Sequence, residues 1–585
     1  MSRRNTEQEN WIIYLLSLSR MIYLFPATVK GIGGSKWGYI NEKGDFVLPP
    51  KYEIAHDFQE NGLAIVQVNH LTGIINSDGY LIVKPKYDTI SPFSEGRAVA
   101  INDEGYTVLD ESGKEITTQA YFYIGDYHEG RAVAANNNEH DNYLLGYLNR
   151  RGKEVIPLSY EAASDFQDGK ALVKSKEGGY SLIDLTGKVL KSYPYPFVNF
   201  NGEGLLGFKE KEEGNWGYMD ESGKVVIEPK FKDVQQFIDG KAIVTVENNN
   251  QSYYGLIDRQ GNFIIKPHYN SLLNLSEDRF ALGKAMDPEK PYLFPKYAIA
   301  DASGQIYTGF IYNGVSKFKN GIASAYNDEF TFFIDKRGQR IEHLPKVTGS
   351  GSLAFEKSLI KGEVDFRTFY LDKIGRLVWK QNTIIPLNND YSVIENKYKP
   401  NKDYIVYYPQ LKGVENQESV NQILKDLSGV KPTLAHTQLE SSYAGDFNVP
   451  YYKEHLVVIE INGYDYPFGA AHGMPVKKHA HIDLKTGKFY QLKDLFKAEA
   501  DYVEVISQII GEQIKNEDQY SYVFPDAYKG IQADQPFFIS ESALNVYFRP
   551  YDIAPYAAGF PTFTIPFNEI YSIINHEGDF WLSFH

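Results

Sequence analysis

Short apolar runs separated by turn residues fill the first two-thirds of the chain. In residues 36–64, KWGYINEKGDFVLPPKYEIAHDFQENGLA, an apolar run (Trp37, Gly38, Tyr39, Ile40) meets Asn41 and then Gly44. A second run leads to Pro50 and Tyr52, followed by Phe58, Gly62 and Ala64. The pattern aromatic–small–apolar–apolar–(Asp or Asn)–x–x–Gly recurs with its acidic or amide position at Asn41, Asn76, Asp110, Asn149, Asp184, Asp220, Asp258, Asp301, Asp335 and Asp372. Successive spacings fall between 34 and 43 residues, which marks an array of internal repeats.

The chemistry of each unit predicts a hairpin. Asp or Asn opens a turn by accepting backbone N–H groups on its side chain. Gly three positions later takes the left-handed conformation of a type I turn plus bulge. Pro follows the second strand at Pro50, Pro85, Pro157, Pro229 and Pro267, and is expected to end the ladder because it has no N–H to donate. An aromatic comes next, and a recurring Gly–x–Ala, as in Gly62/Ala64 and Gly240/Ala242, starts a further strand. Each unit thus offers three or four short strands and no helix, and cannot bury both faces without neighbours. The expected fold is mainly β: tandem β-hairpin repeats in a propeller-like ring, alternatively an open β-solenoid, followed by an α+β domain. One carboxylate per turn reads as a turn-former, since calcium loops stack several within a few residues.

The period changes after Asn388. Repeats are assigned to 24–387, a polar linker containing NKYKPNKDY to 388–403, and a second domain to 404–585. In that domain Val420, Ile423, Leu424 and Leu427 share one helix face. Tyr502, Val503, Ile506, Ile509, Ile510 and Ile514 do the same in a longer helix from about Ala498. HLVVIEINGY, AHIDLKTGKFYQL and ALNVYF read as strands. At the other end, residues 1–23 form an apolar segment that Arg20 interrupts. Neither side of Arg20 reaches the roughly 20 apolar residues of a bilayer span. No small-x-small cleavage site follows, so neither a clear membrane span nor an export signal is expected, and Met21 is an alternative start.

Composition narrows the function classes. With 43% hydrophobic and 23% charged residues the 585-residue chain is globular rather than disordered. A formal charge of -15, with no long basic run, argues against a nucleic-acid partner. The absence of cysteine excludes disulfides, thiol catalysis, thiolate zinc sites and iron–sulfur clusters. The 45 tyrosines suit strands and half-wet contact surfaces. A cytoplasmic location is preferred, with an exported or cell-surface one as the alternative.

Two resemblances follow from particular stretches. KWGYINEKG, NWGYMDESGKVVIEPKF and YGLIDRQGNFIIKPHY resemble the WG-repeat (KWG) family of bacteria over about 360 residues, although only Trp37 and Trp216 keep the tryptophan. That family is presumed to bind ligands or partners. NGYDYPFGAAHG, HIDLKTGKFYQLKDLF and ALNVYFRPYDIAPYAAGFPTFTIPF resemble an uncharacterised bacterial domain. It is found in the outer part of lysozyme-sensing anti-sigma factors and beside the catalytic domain of some peptidoglycan deacetylases. The resemblance implies recognition of a protein or the cell wall; with no deacetylase domain or clear anchor read here, lysozyme sensing does not carry over.

His472, His479 and His481, with Asp483, form the densest ionisable cluster. His479 and His481 share one face of a strand and are weak candidates, with His472, for a metal site. The alternative is structural: His472 in a Gly-rich turn, the other two as ordinary strand residues. No catalytic residue is assigned and no cofactor is expected, because H-E-x-x-H, G-x-S-x-G, Walker A and dinucleotide fingerprints are missing. The Pro-braced loop 550–563 offers Tyr551, Tyr556 and Phe560 to stack on a sugar or fill a protein pocket, or else to cover its own core. The expected function is a non-catalytic binding protein, a repeat platform plus a recognition domain for a protein or cell-wall glycan. A cell-wall hydrolase or deacetylase centred on His472 and an assembly scaffold are the alternatives. Recognition by the repeats has to come from positions that vary between units.

Overall fold

The same turn closes the hairpin of every repeat. In the computed structural model, which describes residues 23–137, 143–200, 202–291 and 293–585, Oδ1 of each of the ten Asp or Asn residues accepts the amides two and four positions on, at 2.9–3.2 Å. The glycines that follow have φ between 69° and 89°, as the left-handed position requires. The carboxylates are thus committed to backbone; the Thr186 hydroxyl and amide, for example, hold Asp184 below the usual carboxylate range. The apolar segment expected at 1–23, with Met21 as an alternative start, lies outside the described residues but for Tyr23.

The prolines do not end the strands. Phe46–Tyr52, Leu81–Tyr87, Val225–Phe231 and Phe263–Tyr269 run through Pro50, Pro85, Pro229 and Pro267. The strand bulges there instead: pairing steps from Tyr218↔Ile227 to Trp216↔Phe231, leaving the proline outside the ladder. The bulged backbone crosses the glycine of the Trp–Gly pair. A Cβ on Gly217 would meet the Ile227 carbonyl oxygen at 2.5 Å and the Pro229 nitrogen at 2.7 Å. The motif glycine is therefore there for close backbone approach, and Pro229 is placed where no N–H is needed.

Between residues 25 and 380 the strands form antiparallel sheets ordered as in the sequence, one of seven strands and the rest of three or four, such as Asp233–Val234, Lys241–Asn248, Gln251–Asp258 and Phe263–Tyr269. Core lies between successive sheets: Leu205, Tyr218 and Phe231 of one pack on Phe237, Ala242, Val244 and Ile257 of the next. Many tyrosines expected at contact surfaces belong to this core instead. Tyr39, Tyr147 and Tyr218 are fully buried, and their hydroxyls donate to the carbonyls of His56, Ser164 and Gln235, each 17 residues on. That bond satisfies the one polar atom of a ring that otherwise fills the inter-sheet space. The first and last repeats also touch. Tyr370 packs 5.4 Å from Phe25 and donates to the Pro26 carbonyl at 2.9 Å, and Lys361 pairs with Asp57 at 3.4 Å.

The described chain divides into two compact units, residues 23–27 with Trp37–Lys380, and Thr28–Lys36 with Gln381–His585. The stretch expected as a linker contains a strand, Ser392–Asn401, paired with Tyr404–Lys412. Its polar residues turn the hairpin: Oδ1 of the buried Asn401 accepts the Asp403 amide, and its Nδ2 donates to the carbonyls of Leu434 and Thr437. The second unit holds a seven-stranded sheet. It is antiparallel except where Tyr404–Lys412 lies parallel to Ser441–Lys453, joined by a crossover carrying helix α1 (Gln417–Leu427). Both faces of the first half of its strand Leu456–Pro467 are covered, which explains the apolar run Leu456–Ile459. Val457, Ile459 and Ile461 pack with Val420 and Leu424 of α1. Leu456 and Val458 pack with Ile506 and Ile510 of helix α2 (Tyr502–Asn516) and with the three-stranded sheet Phe537–Ile539, Ala543–Tyr547 and Thr562–Pro566. No helix among the described residues is long and apolar enough to cross a membrane.

Candidate functional site

His472 lies in the Gly-rich turn between the strands Leu456–Pro467 and Met474–Asp483. Tyr551 and Tyr556 come from the connection after the strand Ala543–Tyr547. The fold brings the three together. The His472 ring stacks on Tyr556 at 4.1 Å, and Tyr551 lies 5.7 Å from Tyr556. The Tyr556 hydroxyl donates to the Gly473 carbonyl at 3.0 Å, and the Tyr551 hydroxyl stands 3.3 Å from His472 Nε2. A fourth ring, Tyr464, joins them: its hydroxyl accepts the Gly473 amide at 2.8 Å and raises the Tyr556 pKa. Tyr464 sits within the quoted motif NGYDYPFGAAHG but carried no signal of its own. Tyr551 is 52% exposed and Tyr464 40%, so rings supported by one another still face water. Tyr551 also has φ 72, a costly conformation for an aromatic residue that persists only where the surroundings impose it.

Phe560 makes its contacts elsewhere. Its ring lies 6.1 Å from Tyr547, and the Lys477 ammonium sits 4.9 Å from its centroid.

His479 and His481 do share one strand face, paired opposite Glu460 and Val458, but each has its own task. The buried His479 places Nε2 3.3 Å from the Glu460 carboxylate and Nδ1 3.0 Å from the Tyr547 hydroxyl. Burial holds it below the ordinary histidine pKa, so a neutral ring donates Nε2–H to an ionised glutamate. That bond, with donors from Asn462 and Asn448, pulls Glu460 down to about 2. His481, 1% exposed, stacks on Phe537 at 4.3 Å and accepts the Ile539 amide on Nε2 at 3.2 Å. Burial lowers its pKa well below the usual value. Asp483 accepts the amides of Lys485 and Thr486 and the Tyr490 hydroxyl. Among the described residues no three His, Asp or Glu side chains are grouped to hold a metal ion.

The WG containing repeat matches residues 37–70, 73–106, 146–180, 216–249 and 254–282. The family described as a protein of unknown function, DUF3298, matches residues 493–568, which include Tyr551, Tyr556 and Phe560. The chain carries WG repeats followed by a DUF3298 domain. The turns at Asp110, Asp184, Asp301, Asp335 and Asp372 extend the repeat beyond the matched segments with the same hydrogen bonds. The peptidoglycan-N-acetylmuramic acid deacetylase PdaC of Bacillus subtilis is 27% identical over 164 residues, 26% of this chain and 34% of that protein. The anti-sigma-V factor RsiV of the same organism is 37% identical over 109 residues, 17% of this chain and 38% of that protein. The chain thus spans little more than a third of the length of these curated relatives. A crystal structure of a DUF3298 member from Bacteroides fragilis is 17% identical, covering 32% of this chain and 93% of that one, with a TM-score of 0.24.

Proposed function

We propose that the protein is a non-catalytic recognition protein whose DUF3298 domain binds a protein or cell-wall ligand on the face formed by Tyr464, His472, Tyr551 and Tyr556. The observation that carries this reading is Tyr551: an aromatic ring half open to water, held at positive φ beside three further rings. Rigid aromatics of this kind lose little entropy on contact and dominate binding energy where they anchor an interface. The likeness to a peptidoglycan deacetylase and to an anti-sigma factor supports a wall or protein ligand over a small metabolite. The deacetylase alternative is less well supported, because His472 Nδ1 faces the Gly473 carbonyl and Nε2 the Tyr551 hydroxyl, leaving it without a carboxylate partner.

The test is binding of the full-length protein to purified peptidoglycan sacculi and to a panel of wall-associated proteins. Tyr551→Ala and Tyr556→Ala are expected to weaken capture by at least tenfold, the usual effect of truncating an aromatic anchor. Wild-type protein that captures nothing above background, or variants that bind as wild type does, would overturn the reading.

A further inference from the structure

Successive repeats line a cavity of about 860 Å³ that neither family match assigns. That volume lies within the roughly 300–1,000 Å³ typical of ligand sites. Part of its rim comes from one recurrent place in successive repeats, the residue before Phe166 and Phe237 and its equivalents in the other units. Asp165, Phe200, Gln236 and Asn274 lie there at steps of 35, 36 and 38 residues. This place varies from unit to unit, whereas the turn Asp or Asn and its left-handed glycine recur in all ten.

The chemistry of the lining selects a ligand class. Gln167, Asn199, Gln235 and Gln236 face the cavity, and their side-chain amides hydrogen-bond to no other described residue. Each amide offers both donor and acceptor, the complement of a hydroxyl group. The ionisable side chains present already have partners: His128 Nε2 stands 3.5 Å from Asp165, and Lys241 lies 3.6 Å from Asp278 and donates to the Asp239 carbonyl. The floor is apolar, from buried Phe166, Ile243, Leu256 and Phe280. Neutral amides around an apolar floor match a molecule that is hydroxyl-rich at its edges, apolar on its C–H faces and uncharged.

We propose that this cavity is a binding site for a neutral oligosaccharide, independent of the aromatic face of the DUF3298 domain. Full-length protein would be screened on an array of neutral oligosaccharides including chitotetraose and maltotetraose, with a Gly–Ser octapeptide as the competing uncharged ligand. Hits would be measured by calorimetry. Gln236→Ala and Asn199→Ala change exposed side chains and are expected to leave the fold intact by circular dichroism while weakening the sugar about tenfold each, the scale of one lost hydrogen bond. Tyr551→Ala is expected to leave this affinity unchanged, which separates the site from the face proposed above. No binding across the array, sugar binding that both amide variants leave untouched, or binding of the octapeptide in preference to every sugar would each overturn the assignment.

Discussion

At the residue scale, His479 and His481 serve the core of the second unit, and that makes the domain sensitive to acid. Unfolded, both imidazoles titrate near their ordinary value of about 6.5. Folded, burial holds His479 and His481 lower, so the native state binds fewer protons. Their contribution is complete above the unfolded value and declines as pH falls from about 6.5 through the folded values. Glu460 behaves differently in range: at about 2 in the fold, its contribution is lost only as pH falls below the ordinary glutamate value. Hydrogen exchange over residues 537–547, corrected for intrinsic rates, is therefore expected to show weaker protection at pH 5.5 than at 7.5. His481→Gln is expected to cost about 2 kcal/mol at neutral pH through lost packing, and to flatten that pH response. Equal protection at both pH values in the wild type would refute the account. Strand alternation alone placed His479 and His481 on one face. What meets them, Phe537, Phe538 and Tyr547, lies nearly 60 residues or more away, where no local period reports it.

At the element scale, the repeat was legible because its turn is local: one side chain, two amides and one left-handed glycine, all within five residues. The bulge was not, because the meaning of Gly217 lies in a strand ten residues on. The pattern showed a small residue after Trp216 but not the backbone pressed against it. This difference is testable with two glycines of opposite character. Gly217→Ala would drive a Cβ into the Ile227 carbonyl and Pro229 nitrogen, backbone atoms that cannot rotate away. Gly62 has φ 75 and nothing within 4 Å of an added Cβ, so Gly62→Ala carries only the strain of the left-handed conformation. Urea unfolding is expected to place the Gly62 variant about 1 kcal/mol below wild type. The Gly217 variant is expected about 3 kcal/mol or more below it, as for other overpacked sites. The reverse order would mean that the bulge yields and that the motif glycine is kept for another reason.

At the scale of the whole molecule, the sequence left ring and solenoid open, because a repeat specifies how neighbours stack and not where the stack ends. The deciding residues are at the two ends of the array. Phe25, Ala27 and Ile40 share a core with Leu359 and Tyr370, more than 300 residues apart. The turn at Gly44 also lies against the strand Leu377–Lys380, since a Cβ on Gly44 would meet the Val378 carbonyl oxygen at 2.4 Å. Stacked sheets are separated by about 10 Å, so an open array of ten units would hold its ends on the order of 90 Å apart. The lack of native cysteine allows a clean measurement. Spin labels on Lys43→Cys and Lys380→Cys, both exposed, are expected to give one short, narrow distance by pulsed dipolar spectroscopy. Adding Tyr370→Ala removes the ring and the hydroxyl bonded to Pro26, and is expected to broaden that distribution toward longer distances. A long distance in the labelled parent would instead establish an open stack in solution. It would also weaken the case for the cavity ligand, because residues from several successive repeats must converge to bind one molecule.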